Sequence, residues 1–217
     1  MRFNIITLFP DFCKALNNYS VIGRAIRNKT IGVKITDLRS FGLGKHKEVD
    51  SKPFGGGVGM LLRVDVVGAA LDSIEKQNKS KVVLLSPKGK QFTQKMAVEL
   101  AKLDEIVLVC GHYEGFDERI TNLVDEVVSI GPYVLSGGEI PAMAMIDTIA
   151  RQIPKVLGKT ESKDVETFSI VENKKIIEYP QYTRPREFRG QKVPDTLISG
   201  NHSQIEAWKK SNTHKVT

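Results

Sequence analysis

Short, continuous runs of aliphatic and β-branched residues alternate with stretches of helical periodicity along most of this chain. Two of these runs, residues 106–110 and 127–130, are each followed directly by glycine. Short apolar runs bounded by glycine are typical of strands that are buried on both faces of a parallel sheet. Further strands are predicted at residues 3–9, 32–38 and 81–87, and Pro87 is expected to end the last of them.

Apolar residues at helical spacing predict the helices between these strands. Residues 65–74 carry an apolar side, and Phe92, Met96 and Leu100 follow at four-residue spacing. The strongest helical pattern covers residues 139–153, with Pro141 in the first turn, where its missing N–H costs nothing. The alternation predicts an α/β fold with a mostly parallel sheet and helices on both faces.

The pattern changes after Pro154. Residues 154–180 are polar, rich in lysine and without clear periodicity, which predicts a flexible interdomain linker. In the remaining range, 181–217, Asn201 followed by Gln204 indicates a helix start, with Ile205 and Trp208 on its apolar side. We therefore predict a large domain at 1–153 and a small helical domain at 181–217.

The positive charge of the chain is concentrated near its C-terminus. The net charge of the 217 residues is +7, and residues 151–217 hold 13 Lys and Arg against 8 Asp and Glu. A basic appendage on a nearly neutral domain suits a polyanionic partner such as RNA or DNA. The alternative is a solvated lysine-rich surface.

Several classes of protein are disfavoured. No run approaches the roughly 18 apolar residues of a membrane span, and no signal peptide is predicted. Cys13 and Cys110 do not make a disulfide framework, and the four histidines show no metal-ligand spacing. We expect a reduced cytoplasmic protein without a metal site.

Glycine clusters mark the predicted carboxyl ends of two strands. Glycine after a strand allows a ligand to approach backbone N–H and C=O groups, and open α/β sheets bind ligands at this edge. Two adjacent strand ends would therefore form a pocket; the alternative is that the glycines only make tight turns. The five glycines are Gly111, Gly115, Gly131, Gly137 and Gly138.

A second glycine-rich stretch, residues 52–60, contains the spacing G-x-G-x-G. A nucleotide-binding loop of that kind needs a strand directly before it, whereas the preceding residues 46–53 are polar. A phosphate-binding P-loop is excluded because no G-K-[ST] follows. The stretch is a flexible lid, a backbone surface for a flat or anionic partner, or a purely structural loop.

Five segments together resemble the bacterial tRNA (guanine-N1)-methyltransferase family, which modifies the guanosine 3′ to the anticodon. The longest are GHYEGFDER at residues 111–119 and SIGPYVLSGGE at residues 129–139. The resemblance also covers residues 53–60, 85–89 and 182–185, and runs in consistent order from residue 3 to about residue 208.

The resemblance implies a SPOUT-type α/β fold with a deep trefoil knot. It further implies S-adenosyl-L-methionine as methyl donor, bound against the knotted loops. The donor-binding positions that it implies are Leu84, Leu85, Ser86, Pro87, Gly111, Tyr113, Glu114, Ile130, Gly131, Pro132, Tyr133, Val134, Leu135, Gly137 and Gly138.

The resemblance also implies a tRNA partner and a homodimer with its active site at the subunit interface. Arg151 matches the arginine that faces guanine O6. Glu166 stands at the position of the general base when the chain is aligned on Phe168, and Asp164 is the competing carboxylate. The implied tRNA-binding positions are Asp50, Gly59, Met60, Ser162, Arg184 and Arg186.

Two other functions stay open on the residues alone. One is a related knotted enzyme that methylates a different atom, such as a ribose 2′-hydroxyl. The other is a non-catalytic RNA-binding protein of the same fold, which the absence of the usual aspartate favours. We expect a tRNA (guanine-N1)-methyltransferase, because that chemistry needs only an aligned donor, a base for the N1 proton and a cation near O6.

Overall fold

The computed structural model describes residues 1–18, 20–157, 167–168, 170–171 and 174–216. The chain divides into two units, Met1–Gly158 and Lys159–Thr217. This boundary falls within the range 154–180, for which the sequence predicts a linker. Within the described residues, no helix is long and apolar enough to cross a membrane.

A five-stranded parallel sheet lies at the centre of the first unit. The strands of this unit are β1 (Arg2–Thr7), β2 (Gly32–Asp37), β3 (Asp50–Ser51), β4 (Leu61–Leu62), β5 (Ser80–Gln91), β6 (Glu105–Cys110) and β7 (Glu126–Ser129). The central sheet has the strand order β2-β1-β6-β5-β7, and every neighbouring pair is parallel. Strands β3 and β4 form a separate antiparallel pair.

Helices cover both faces of the sheet. They are α1 (Pro10–Lys14), α2 (Ser20–Arg27), α3 (Val64–Asp72), α4 (Gln94–Leu100) and α5 (Glu139–Ala150), with 3₁₀ helices at Ala15–Asn17, Leu38–Phe41 and Glu118–Leu123. Ile5 of β1 packs in the core with α1, α2, α4 and α5, whereas its neighbour Ile6 packs in the core with α3. Successive strand residues point to opposite faces, so the sheet separates two cores. The predicted α/β fold with a parallel sheet and helices on both faces is confirmed.

Strand β5 is longer than the sequence predicts. Leu85 and Lys90 both pair with Val128 of β7, so residues 86–89 bulge out of the strand before pairing resumes. The prediction that Pro87 ends this strand is wrong. Proline is tolerated here because a bulge residue makes no ladder hydrogen bond.

Helix α5 ends three residues before its predicted end. Arg151 is the C-cap, and Gln152 and Ile153 donate their N–H groups to Ile149 and Ala150, three residues back. These bonds tighten the last turn into 3₁₀ geometry before Pro154. They also supply hydrogen-bond donors to two carbonyls that have no partner within the α-helix.

The second unit contains short strands as well as helices. Its elements are β8 (Ile170–Val171), β9 (Lys174–Ile177), β10 (Glu187–Phe188), β11 (Gln191–Lys192), α6 (Asp195–Ile198), α7 (His202–Asn212) and β12 (His214–Val216). The antiparallel sheet β12-β9-β8 brings the C-terminal strand onto residues predicted to be linker. The predicted helix start is confirmed, because Asn201 caps α7 by accepting the N–H of Gln204 at 3.2 Å.

Candidate active site

Three loops meet at the carboxyl edge of the central sheet. They are the bulge at 86–89, the segment 111–117 after β6 and the segment 130–138 after β7. The N–H of Gly138 donates to the carbonyl of Gly111 at 2.8 Å. Because β5 lies between β6 and β7, the chain leaving β7 must pass the end of β5 to make this bond. Predicted donor-binding positions that are distant in sequence thus lie side by side.

The contact at Gly138 leaves no space for a side chain. A Cβ atom there would lie 2.6 Å from the Cα atom of Cys110 and 2.7 Å from the N atom of Gly111. The backbone of Gly138 has ordinary helical dihedral angles, φ −82° and ψ −3°, so glycine is required here by close approach alone. The sequence motif therefore has a packing cause.

The predicted donor-binding positions differ in what they can present to a ligand. Leu84 and Leu85 are buried in the two cores, so these residues can offer only backbone groups. Tyr113, Tyr133, Val134 and Leu135 are exposed large side chains at the rim. The exposed apolar side chains can cover the face of a flat molecule, and the backbone groups can hydrogen-bond to its edge.

Tyr113 has an unusual backbone conformation. Its φ is +58°, in the left-handed region that residues other than glycine rarely adopt. The turn that holds it is closed by a hydrogen bond from the N–H of Gly115 to the carbonyl of His112, at 3.1 Å. The His112 ring packs edge-on between Phe9 and Tyr113, each with a centroid separation of 4.9 Å. Strained residues of this kind cluster at functional sites.

The glycine-rich stretch connects β3 and β4, which confirms that it is not a nucleotide-binding loop of the strand–loop–helix kind. Its C-terminal end is fixed to the segment after β6. The N–H of Glu114 donates to the carbonyl of Met60 at 3.1 Å, and the N–H of Leu62 donates to the carbonyl of Gly115 at 2.9 Å. Asp50 pairs with Leu62 across the β3–β4 ribbon.

Gly59 lies directly against the side chain of Glu114. A Cβ atom at Gly59 would come within 2.2 Å of the Cγ atom of Glu114, and φ of Gly59 is +85°. The predicted tRNA-binding positions Gly59 and Met60 are thus brought next to Glu114, a predicted donor-binding position, and Asp50 lies across the ribbon from Leu62. The tertiary structure therefore joins the two halves of the predicted site in one place.

Sequence reasoning missed a buried hydrogen bond between Thr7 and Glu139 beneath these loops. Thr7 ends β1 and Glu139 begins α5, and the Thr7 hydroxyl donates to Glu139 Oε1 at 2.6 Å. The same hydroxyl accepts the N–H of Phe9 at 2.9 Å. An acidic residue in the first turn of a helix is the only sequence signal for Glu139. The bond fixes the end of the 130–138 loop to the end of β1.

Both cysteines are buried below the site and are chemically inert. Burial, with a smaller effect of the Glu139 carboxylate, raises the pKa of Cys13 to about 11. Burial, with smaller effects of Glu139 and Cys13, raises the pKa of Cys110 well above its usual value. Neither thiol ionises near neutral pH, so neither is a nucleophile.

An exposed apolar face borders the 130–138 loop. Phe9, Phe12, Leu135 and Ile140 are between 37% and 50% exposed and line an open cavity of about 600 Å³. Contiguous exposed apolar surface on a globular protein marks an interaction site.

The remaining predicted residues lie elsewhere. Arg151 is at the far end of α5 from Gly138, and 12 helical residues span about 18 Å. Within one chain, Arg151 therefore lies at the opposite end of α5 from the 130–138 loop. Arg184 and Arg186 are exposed in the second unit. Ser162, Asp164 and Glu166 lie outside the described residues.

In the part of the chain that the structure describes, no three His, Cys, Asp or Glu side chains form a metal-binding group.

Comparison with known proteins gives a consistent result over the whole length. Residues 1–217 match the family described as tRNA (Guanine-1)-methyltransferase TrmD. The chain is 49% identical to the tRNA (guanine-N(1)-)-methyltransferase of Mycoplasmopsis agalactiae over 217 residues, which is 100% of this chain and 93% of that protein. It is 45% identical to the protein of that name from Staphylococcus aureus strain JH9 over 210 residues, 96% of this chain and 84% of that protein.

Proposed function

Because this chain belongs to the tRNA (guanine-1)-methyltransferase family, we infer that it is an enzyme that methylates N1 of a guanine base in tRNA. We propose more finely that the target is the guanosine 3′ to the anticodon, and that S-adenosyl-L-methionine is the donor. The observation that supports this proposal is the junction of the three loops with Gly59 and Met60, because a donor bound at these loops would lie beside a base held by the glycine-rich loop. We place the enzyme in the cytoplasm.

The residues at the loop junction fit this donor. The backbone of Leu84, Leu85, Gly111, Gly131 and Gly138 suits the edge of an adenine ring, because backbone N–H and C=O groups can hydrogen-bond to the polar atoms of that edge. The exposed side chains of Tyr133, Val134 and Leu135 offer apolar contact, and the adjacent Glu114 carboxylate suits a positive charge. The remaining family positions, Ser86, Pro87, Tyr113, Ile130, Pro132 and Gly137, belong to the same three loops.

The chemistry requires little more than alignment and one proton transfer. When bound, S-adenosyl-L-methionine supplies a methyl group on a positively charged sulfur. We propose that Glu166 accepts the proton of guanine N1, so that the electron pair of the N–H bond would form the new N–C bond while the methyl–sulfur bond would break with its electron pair left on sulfur. Arg151 contacts O6, where negative charge accumulates as the proton leaves. The glycine-rich loop, through Asp50, Gly59 and Met60, positions the base, and Ser162 contacts the RNA.

A homodimer resolves the position of Arg151. About 18 Å of helix separates it from the Gly138 loop of its own chain, so a second copy must supply the arginine, or the base must lie between two chains. The exposed apolar face of Phe9, Phe12, Leu135 and Ile140 lies beside the donor loop and suits such a contact. We propose that two chains associate through this face and complete each other's active sites.

The proposed activity is tested with the purified full-length chain, bulk tRNA and S-adenosyl-L-methionine labelled in its methyl group. Digestion of the product to nucleosides should recover the label as 1-methylguanosine, and sequencing should place it 3′ to the anticodon. Label in a ribose 2′-O-methyl group would instead identify the related knotted enzyme. Donor or tRNA binding without transfer would identify a binding protein and overturn the proposal.

The proposed catalytic pair has a kinetic signature. Arg151→Ala and Glu166→Gln should each slow single-turnover transfer at least roughly tenfold, about 1.4 kcal/mol of barrier, because each acts on charge that develops in the transition state. Donor affinity and melting temperature should change little. Asp164→Asn is the matched control and should cost less than about threefold. If Asp164→Asn is instead the slow variant, Asp164 is the base.

The basic segment 184–192 of the second unit is expected to contact tRNA phosphates. Arg184, Arg186, Arg189 and Lys192 fall within nine residues, and the Arg189 guanidinium lies 5.1 Å from the Phe188 ring centroid. Phosphate contacts release counterions, so tRNA affinity should fall steeply with salt. Arg184→Gln with Arg186→Gln should flatten the slope of log affinity against log salt by roughly 1.4 to 1.8. Lys34→Gln with Lys95→Gln, two exposed lysines of the first unit, should leave it unchanged. Equal slopes of log affinity against log salt in both double variants would show that the basic segment 184–192 does not contact RNA.

A further inference from the structure

The imidazole of His112 contains a polar atom that has no role in the function described so far. The ring packs edge-on against Phe9 and Tyr113, each with a centroid separation of 4.9 Å. Its Nδ1 atom is buried, and among the residues that the structure describes it has no hydrogen-bond partner. Nearly all buried polar atoms of native proteins have a partner, so this nitrogen indicates a hydrogen bond that forms in another state of the site.

The carboxylate of Glu139 borders the same small space as this nitrogen. A Cβ atom added at Gly137 would lie against Glu139 Oε2 and 3.0 Å from His112 Nδ1. The space between the two side chains stays open only because residue 137 has no side chain of its own. Gly137 does not have a positive φ, so glycine is required here by close approach and not by backbone conformation.

The chemistry of the surrounding atoms identifies the missing bond. The carbonyl oxygen of Gly111, 3.3 Å from the same Cβ position, already accepts the N–H of Gly138. Carboxylate and carbonyl oxygens only accept, whereas an imidazole nitrogen that holds the proton donates. Nδ1 of His112 can therefore donate to Oε2 of Glu139. Hydrogen bonds to carboxylates are stronger than those between neutral groups.

The carboxylate of Glu139 is already fixed to the framework of the first unit. Its other oxygen, Oε1, accepts the hydroxyl of Thr7 at the end of β1, at 2.6 Å. Glu139 is only 6% exposed and is the first residue of α5. A hydrogen bond from His112 to Oε2 would thus connect the segment 111–117 to β1 and to α5 through one buried side chain.

We propose that His112 is a positioning residue for the methyl donor, and that its Nδ1–H group donates to Glu139 Oε2 when the donor is bound. The bond holds the imidazole in one orientation, and the imidazole holds the ring of Tyr113 at the rim of the loop junction. This inference rests on the proposed function and deepens it, since it names the side chains that hold the segment 111–117 against the 130–138 loop. Neither side chain reacts, so the bond should affect donor binding and not the transfer step.

Three substitutions of His112 separate the hydrogen bond from the packing of the ring. His112→Phe keeps an aromatic ring but has no nitrogen, and it should weaken donor binding roughly tenfold to a hundredfold, the loss of a hydrogen bond to a charged group. His112→Asn has an amide nitrogen on Cγ, the atom that carries Nδ1 in histidine, and it should stay within about threefold of the parent enzyme. His112→Gln places its amide one atom further along the side chain and should resemble His112→Phe.

The kinetic readout distinguishes positioning of the donor from catalysis. Titration calorimetry with S-adenosyl-L-methionine gives the affinity, and steady-state kinetics give KM and kcat. KM for the donor should rise in His112→Phe, whereas kcat and KM for tRNA should change by less than about threefold. His214→Phe is the control, because His214 is an exposed histidine of the second unit, and its donor affinity should equal that of the parent enzyme. A lower kcat with normal donor affinity in His112→Phe would overturn the proposal.

The oligomeric state must stay the same in these variants, because His112 and Glu139 also line the open cavity at the exposed apolar face. Sedimentation should give the same mass for the parent enzyme and for all three substitutions of His112. A changed mass in His112→Phe would make His112 an interface residue instead, and would overturn the proposal.

A double-mutant cycle tests the partner. Glu139→Ala removes the acceptor, so His112→Phe should weaken donor binding by less than about threefold when it is added to Glu139→Ala. If the two losses multiply in full, Nδ1 has another partner and the proposal is wrong. Thr7 also loses its acceptor in Glu139→Ala, and the three substitutions of His112 carry the test if that variant does not fold.

A spectroscopic measurement locates the proton. Nitrogen-15 spectra of histidine-labelled enzyme distinguish a protonated ring nitrogen from a bare one, and His112→Asn identifies the signals of His112 by their absence. With the donor bound, Nδ1 of His112 should carry the proton, because its hydrogen-bond partner is an acceptor. A bare Nδ1 in the complex would contradict the proposed bond.

Failure of the proposed function is recognised separately. A parent enzyme that neither binds S-adenosyl-L-methionine nor makes 1-methylguanosine would overturn the proposed function and this inference with it. If the parent enzyme does both, but His112→Phe, His112→Asn and His214→Phe bind the donor equally well, only the role of His112 is wrong.

Discussion

Gly138→Ala is expected to weaken binding of S-adenosyl-L-methionine roughly a hundredfold and to lower the free energy of unfolding by about 1–3 kcal/mol. The added methyl group would lie 2.6 Å from the Cα atom of Cys110 and 2.7 Å from the N atom of Gly111. Both atoms belong to the backbone at the end of a buried strand, so neither can turn aside as a side chain would. The two loops must separate, and the hydrogen bond from Gly138 to Gly111 is lost with them.

The effect is separable from a general glycine effect by a matched substitution. A Cβ atom at Gly68, in the middle of α3, would meet only the Leu123 side chain at 3.7 Å, which is ordinary contact. Gly68→Ala should therefore be neutral or stabilising by up to about 1 kcal/mol, because alanine is the better helix former. Isothermal titration with the donor and urea unfolding measure the two quantities. Normal donor affinity in Gly138→Ala would show that the loop junction is not the donor site.

Glu105→Ala is expected to lower the free energy of unfolding by about 2–6 kcal/mol, because it removes the acceptor of two donors, Asn4 Nδ2 and the Gln77 N–H, and each donor left unsatisfied costs about 1–3 kcal/mol. The carboxylate is fully buried at the amino edge of the sheet. It accepts hydrogen bonds from the Arg2 guanidinium, from Asn4 Nδ2 at 2.6 Å and from the N–H of Gln77 at 3.0 Å. Its hydrogen bond to Arg2 also raises the pKa of that guanidinium.

This variant should lose stability without losing chemistry. Glu105 begins β6 and the segment 111–117, which we propose to contact the donor, follows the other end of this strand, so methyl transfer should stay normal at temperatures where the variant is folded. Asp11→Ala is the control: its pair with Lys14 is exposed and should contribute less than about 0.5 kcal/mol. Urea unfolding checks both variants. A loss below about 1 kcal/mol in Glu105→Ala would mean that the pair only offsets its own desolvation.

Hydrophobic periodicity was sufficient to predict the framework. The short apolar runs at 106–110 and 127–130 became β6 and β7, because a strand buried on both faces needs no polar alternation. The apolar stripe after Gly138 became α5, and Asn201 capped α7 through its own side chain. These features depend on residues within a few positions of one another, and local sequence determines them. The glycine clusters likewise predicted a ligand edge, and their long motifs identified the family.

Only the tertiary structure decided which of these local features meet. The resumption of β5 after Pro87 depends on the strand β7, more than 35 residues away, which pairs with both sides of the bulge. The Thr7–Glu139 hydrogen bond joins residues 132 positions apart, and nothing local to either residue indicates it. Arg151 lies about 18 Å from the loop at the other end of its helix, because helix length sets that separation, whatever the motif. Contacts of this kind depend on how whole elements pack. Burial of apolar faces determines the arrangement of the elements, and that arrangement determines where the functional side chains lie.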